Sequence, residues 1–131
     1  MKMTGKIVAV LALYGLVAAA ARPAIAADAG SASNEKKFTV VAEQVGKSKW
    51  WFPSNIMVNQ GDKVTLVLKN EIEGADITHG FELDGYDIKE VVTRGVPKTV
   101  TFTADKPGIF HYYCQLHPAH IGGDLLVVPS K

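Results

Sequence analysis

The sequence predicts an all-β domain, a Greek-key β-sandwich of about eight strands. Its apolar runs are short and rich in β-branched and aromatic residues, turn residues separate them at regular intervals, and apolar positions alternate with polar ones. Such a series of short strands is typical of sandwiches and Greek-key barrels. The predicted strands are FTVVAEQ, WWFPSNIMV, KVTLVLKN, HGFELDG, YDIKEVV, KTVTFTA, GIFHYYC and GDLLVVP.

Each strand is predicted from its own alternation of side chains. In the second run Trp50 and Trp51 are adjacent, so one ring should point into the core and the other outward. In the third run Val64, Leu66 and Leu68 share the side that faces the core. The fifth run contains DIKEVV, the one stretch with helical potential, but it is too short for a stable helix.

Residues 1–26 predict a secretory signal peptide that is not part of the fold. Lys2 and Lys6 give a positive start, an apolar run follows, and AIA at 24–26 is a small-x-small cleavage signal. A retained N-terminal anchor is the alternative interpretation. No later run approaches the roughly 18 apolar residues of a membrane span. We therefore expect a periplasmic or otherwise exported protein without a span after cleavage.

Cleavage would leave a flexible leader at 27–36, ADAGSASNEK, and one domain at 37–131. The leader is small and polar, and the domain is long enough for a single core. The whole chain has 14 basic and 13 acidic residues. Without Lys2, Lys6 and Arg22, 11 basic residues face all 13 acidic ones, so the net charge is −2. Such a surface argues against nucleic acid as a partner.

The segment HYYCQLHPAH, residues 111–120, contains the only cysteine and three of the four histidines of the chain. Strand alternation directs Phe110, Tyr112 and Cys114 to one face and His111 to the other. His111 is therefore expected at the surface. A lone cysteine in an exported protein cannot form an internal disulfide, and an exposed thiol would oxidise. Cys114 therefore needs another explanation.

The spacing Cys-x2-His-x2-His places Cys114, His117 and His120 on one tight loop, where three donors can converge on one ion. A fourth donor should come from a neighbouring strand. His79, at the start of HGFELDG, is the remaining histidine, and a capping or surface histidine is the alternative interpretation of it.

Three chemistries compete for this set of side chains. A thiolate nucleophile with a histidine base is disfavoured, because a cysteine beside three histidines would bind metal first. Zinc accepts one cysteine and three histidines, but structural zinc usually compensates for a small core, which this domain does not need. Copper remains, since a thiolate with imidazoles on a rigid β-scaffold is the ligand set of mononuclear copper–thiolate centres.

At these residues the chain resembles the cupredoxins. The similarity covers roughly Phe38 to Pro129 and is carried by DITHGFELDG, VTFTADKPGIFHYYCQLHPAH and GGDLLVVP. The flanking strands look like the copper domains of nitrous oxide reductase and cytochrome oxidase subunit II. Those domains carry two cysteines for a binuclear centre, whereas this chain has one.

The ligand loop itself resembles the loops of amicyanin and nitrosocyanin. The resemblance implies His79, Cys114 and His117 as ligands of one copper ion, with His120 where a blue copper protein has its weak axial methionine. Nitrosocyanin has a glutamate where His79 stands here. Ligand histidines are typically held by a hydrogen bond to their free ring nitrogen. The candidate partners near them in sequence are the carboxylates Asp76, Glu82 and Asp124.

The predicted function is that of an exported mononuclear copper protein, a one-electron carrier that cycles between Cu(I) and Cu(II) and is not an enzyme. Its expected partners are redox proteins such as a cytochrome or a copper oxidoreductase, and a homo-oligomer is possible. The alternatives are a copper-binding or copper-tolerance protein, and a small redox enzyme with an open copper position. Met-rich or His-rich tracts would favour copper tolerance, and the chain has none after residue 26.

Overall fold

The structure, a computed structural model, describes residues 34–131. The predicted signal peptide and residues 27–33 of the predicted leader lie outside this range. The described residues form nine strands: β1 (Glu35–Val45), β2 (Ser48–Phe52), β3 (Asn55–Asn59), β4 (Lys63–Asn70), β5 (Thr78–Leu83), β6 (Ile88–Thr93), β7 (Lys98–Thr103), β8 (Gly108–Tyr113) and β9 (Gly123–Val128). Within residues 34–131, no helix is long and apolar enough to cross a membrane.

The nine strands form two sheets, which confirms the predicted all-β sandwich. One sheet has the order β2-β1-β4-β7, and the other has the order β3-β9-β8-β5-β6. Most neighbours are antiparallel, while β1 with β4 and β3 with β9 are parallel. The stretch DIKEVV lies largely in β6 and is a strand, not a helix.

The run WWFPSNIMV, expected as one strand, is two strands in different sheets. β2 pairs with β1, whereas β3 pairs with β9. Pro53 lies between them, and a proline has no N–H to donate to a strand ladder. The chain therefore crosses from one sheet to the other at this point, which raises the count from about eight strands to nine.

The first strand begins within the stretch that was expected to be leader. Glu35 and Lys36 pair in parallel with Lys63 and Val64 of β4. The carboxylate of Glu35 also lies 2.8 Å from the ammonium of Lys63. These two residues are polar and lack apolar alternation, so only the partner strand identifies them as β1.

The core lies between the two sheets. Val64, Leu66 and Leu68 are at most 1% exposed, as the alternation in β4 predicts. Trp51 is buried and packs edge-on against Phe81, whose ring also stacks on Tyr112. Burying each large apolar side chain contributes about 1.5–3 kcal/mol.

The site end of the sandwich is defined by β5 and β8. These strands are antiparallel, and their ladder pairs Glu82 with Tyr113. The start of β5, which contains His79, therefore lies beside the end of β8, where Cys114 follows. The loop from Cys114 to β9 carries the remaining predicted ligands at the same end.

Candidate metal centre

The structure brings all four predicted ligands together. One donor atom from each of His79, Cys114, His117 and His120 lies within 4.8 Å of all the others. The Nδ1 atoms of His79 and His117 are 3.2 Å apart, and the Sγ atom of Cys114 is 3.5 Å from Nδ1 of His117. These donors come from β5 and from the β8–β9 loop.

Two of the distances between donor atoms fit ligation of a single ion. In a tetrahedral site, metal–nitrogen bonds of about 2.0 Å and metal–sulfur bonds of about 2.3 Å place two nitrogens about 3.3 Å apart and a nitrogen and a sulfur about 3.5 Å apart. The distances of 3.2 and 3.5 Å agree with this geometry. A soft thiolate with borderline imidazoles is a donor set suited to copper.

Two consecutive turns bring the side chains of Cys114, His117 and His120 to the same side of the loop. The amide of His117 donates to the carbonyl of Cys114 at 3.3 Å, and the amide of His120 donates to the carbonyl of His117 at 2.9 Å. Each turn returns the chain to the same side, so every third side chain faces the same point. The loop therefore presents three donors to one centre.

The four side chains differ in their access to solvent. His79 and Cys114 are buried, with exposures of 0% and 1%. His117 and His120 are half-buried, and 32% of the His117 side chain is exposed. The rings of His117 and His120 stack with centroids 4.6 Å apart. The thiol of Cys114 is thus shielded from solvent, whereas the imidazole of His117 reaches the surface.

The environment keeps His79 and His120 neutral. Burial is the main cause that lowers the pKa of His79 to about 4, followed by the neighbouring charge of His117. Burial likewise lowers the pKa of His120 to about 4, with His79 as the next cause. Lys49 lowers both pKa values further. Neutral imidazoles have a free lone pair, so both rings are ready to coordinate a metal at pH 7.

The copper-free chain should lose stability in mild acid. In the unfolded chain His79 and His120 bind protons near pH 6.5, but in the folded chain only near pH 4. The unfolded state therefore holds more protons between these values, so the free energy of unfolding falls as the pH drops through this range. Urea unfolding across it measures the slope. His120→Gln should reduce the dependence of the free energy of unfolding on pH. An unchanged slope in this variant would show that His120 does not cause the loss of stability.

The sulfur of Cys114 accepts a backbone hydrogen bond. The amide of Gly80 donates to Sγ at 3.2 Å. The β5–β8 ladder ends at Glu82 and Tyr113, so the amide of Gly80 has no strand partner on that side. The N–H group thus turns to the sulfur and offsets part of the negative charge of a thiolate.

Gly80 and Gln115 are two site residues that no sequence pattern predicted. The carboxamide of Gln115 lies over Gly80, where a Cβ atom would collide with it, and donates to the carbonyl of Glu90 at 2.9 Å. An isolated glycine inside a strand indicates a close approach of another group. That signal was present in HGFELDG, directly after the candidate ligand His79.

Gly80→Ala should destabilise the chain by about 1–3 kcal/mol, because the added methyl group displaces Gln115. Urea unfolding of the copper-free protein measures this cost. In a Gln115→Ala background the same change should cost less, since the obstructing carboxamide is gone. An equal cost in both backgrounds would show that the contact with Gln115 is not the cause.

Of the three nearby carboxylates, Asp76 reaches the site. Its Oδ2 atom lies 3.9 Å from Nε2 of His117. Asp124 instead lies 3.0 Å from Nδ1 of His111, which is exposed as predicted. Glu82 pairs with Lys89 on the surface.

Strand alternation also predicted the burial of three aromatic side chains correctly. Tyr112 lies in the core, and its hydroxyl donates to the carbonyl of Pro53. Trp51 is the inward ring of the tryptophan pair. Trp50 is half-buried and stacks on Phe52.

Comparison with known proteins identifies the family. Residues 6–127 match the family described as "Cupredoxin-like domain". The chain belongs to the cupredoxin-like family. This membership agrees with the two-sheet sandwich and with the position of the His/Cys cluster at one end of it.

Curated relatives match this cupredoxin-like domain over a part of their length. A nitrous-oxide reductase from Ralstonia nicotianae is 38% identical over 94 residues, which cover 70% of this chain and 14% of that protein. Cytochrome c oxidase subunit 2 from Thermus thermophilus is 32% identical over 79 residues, covering 57% of this chain and 56% of the relative. The chain thus spans about one seventh of the reductase.

Solved structures share the fold. The copper nitrite reductase from Nitrosomonas europaea superposes with a TM-score of 0.63 at 21% identity, covering 75% of this chain and 43% of that one. A copper-containing nitrite reductase from Thermus scotoductus has a TM-score of 0.61 at 24% identity, covering 74% of this chain and 28% of that one. At this level of identity, the comparison establishes the shared sandwich.

Proposed function

We propose that the chain binds one copper ion through His79, Cys114, His117 and His120 and carries single electrons. The observation that carries this proposal is the convergence of a shielded thiol and three imidazoles within 4.8 Å, at the end of a cupredoxin-like sandwich. Copper supplies a one-electron couple, Cu(I)/Cu(II), when it is bound.

The fixed geometry of the ligands supports electron transfer. His79 is held inside a strand, and the loop ligands are held by two turns. Ligands that are already placed move little when the charge on the site changes, so the energy of reorganisation stays low. With four protein donors at the centre, no coordination position is set aside for a substrate, which favours a carrier over an enzyme.

The composition of the chain favours a mononuclear site. Cys114 is the only cysteine in the sequence, so two thiolates from one chain cannot bridge a pair of copper ions. The nitrous-oxide reductase and the cytochrome c oxidase subunit are named for larger redox enzymes. We propose that this chain has a carrier role and no reaction of its own.

The exposed edge of His117 is the proposed exit for the electron. Three exposed apolar residues lie near it in sequence or on the adjoining loop: Ile77, Leu116 and Ile121. A partly apolar face can dock a redox protein briefly without a strong charge requirement. We propose a cytochrome or a copper oxidoreductase as the redox partner. We propose the periplasm, or another compartment outside the cytoplasm, as the location of both proteins.

Loading with Cu(II) tests the proposal. We expect one copper ion per chain, an intense thiolate-to-copper band in the visible spectrum and reversible one-electron reduction. Loading with Zn(II) is the comparison for the rival metal, and copper should displace zinc, following the general order of affinities. Absence of the thiolate-to-copper band would contradict the copper assignment and favour zinc.

A further inference from the structure

Trp51 contacts both halves of the candidate site. It lies on β2, an edge strand of the four-stranded sheet, whereas His79 and the ligand loop belong to the other sheet. Its side chain is 1% exposed and packs edge-on against Phe81, with ring centroids 5.3 Å apart. The indole therefore crosses the core and approaches the strand that carries His79.

The side chain of Trp51 holds the peptide that faces the sulfur. Its indole Nε1–H donates to the carbonyl of Gly80 at 3.0 Å in a buried bond. The amide of the same residue, Gly80, donates to Sγ of Cys114 at 3.2 Å. Gly80 pairs with Val91 of β6, but it lies beyond the end of the β5–β8 ladder, so its backbone groups have no strand partner on the β8 side. The indole and the sulfur replace that partner.

The main chain of Trp51 holds the far end of the ligand loop. Its amide donates to the carbonyl of Ile121 at 3.0 Å, and the amide of Ile121 donates to the carbonyl of Lys49 at 2.8 Å. Ile121 directly follows His120. β2 thus holds the chain beside the fourth candidate ligand through Lys49 and Trp51, and Trp51 also holds the Gly80 peptide whose N–H faces the sulfur.

We propose that Trp51 is a positioning residue that tunes the redox properties of the copper site. This inference rests on the proposed function. A hydrogen bond to the thiolate withdraws charge from sulfur and so weakens its donation to copper. Without the indole N–H, the Gly80 peptide loses one of its two anchors, its N–H moves from the sulfur, and Cu(II) is favoured over Cu(I).

The test compares the two tryptophans. Trp51→Phe keeps an aromatic ring against Phe81 but removes the N–H donor. Trp50→Phe is the matched control, because the Trp50 ring stacks on Phe52 and makes no side-chain hydrogen bond within the described residues. In the copper-loaded chain, Trp51→Phe should shift the thiolate-to-copper band and lower the reduction potential, whereas Trp50→Phe should leave both unchanged.

A second variant isolates the N–H group from packing. The chain has two tryptophans, so in the Trp50→Phe chain only position 51 remains. Biosynthetic replacement there by 3-benzothienylalanine exchanges the N–H for sulfur and keeps the two-ring shape. The same lowered potential and shifted band are expected. If the analogue matches the control, the inference is wrong while the copper site stands, even where Trp51→Phe shifts both readouts through altered packing. A parent chain without the band would instead contradict the proposed function itself.

Discussion

Cys114→Ser is expected to abolish the intense visible absorption expected of the copper-loaded chain, because such a band arises from charge transfer between the thiolate and copper. Serine is nearly isosteric and occupies the same buried position, so the sandwich should remain folded. Its hydroxyl is a hard, weak donor that stays protonated, whereas copper favours the soft thiolate. The affinity for copper should fall by more than about 100-fold, since loss of a group outside the coordination sphere already costs 10–100-fold.

Visible spectra and a competitive copper titration measure these two effects. His111→Asn is the matched control, because His111 lies three residues before Cys114 but is exposed and pairs with Asp124. It should keep the parent's band and affinity. A Cys114→Ser protein that retains the visible band would show that the sulfur does not bind the metal.

His120→Met should raise the reduction potential and turn the copper protein blue. An imidazole is a stronger donor than a thioether and stabilises Cu(II), whereas the soft thioether favours Cu(I). We therefore expect the parent to be green or red with a weakened copper–sulfur bond. A tenfold change in the relative affinities of Cu(I) and Cu(II) corresponds to about 59 mV for one electron, and we expect a shift of at least this size.

Electron paramagnetic resonance and a redox titration measure the change, with His111→Met as the control for adding a methionine outside the site. The parent histidine lies in the cluster, with its ring centroid 4.8 Å from that of His79. If His120→Met leaves the colour and potential of a blue parent unchanged, His120 does not coordinate copper. The fourth position would then be open, which favours the small redox enzyme over the carrier.

The alternation of apolar and polar residues predicts the buried face of a strand but not the strands with which it pairs. KVTLVLKN predicted its buried face correctly, because alternation along one strand is enough to identify the side that faces a core. Local pattern failed at WWFPSNIMV, where two strands belong to different sheets, and at Glu35, whose place in β1 depends on pairing with Lys63. Such assignments depend on partners far away in sequence.

The same distinction holds at the candidate metal centre. The spacing Cys-x2-His-x2-His predicted that the three loop side chains converge, since two tight turns bring every third residue to one side. Distance along the chain could not place His79 beside them. That depends on the antiparallel pairing of β5 with β8, which brings residues 35 positions apart to one end of the sheet.

By itself, the sequence determined the fold class and predicted a metal-binding loop of one cysteine and two histidines, because these depend on residue type and short-range spacing. Only the tertiary structure revealed the groups around the cluster: the Gly80 amide at the sulfur, Gln115 over Gly80, and Trp51 between the two sheets. These contacts form where a strand ladder ends and its free backbone groups must find other partners, and the partners come from segments that no local pattern connects.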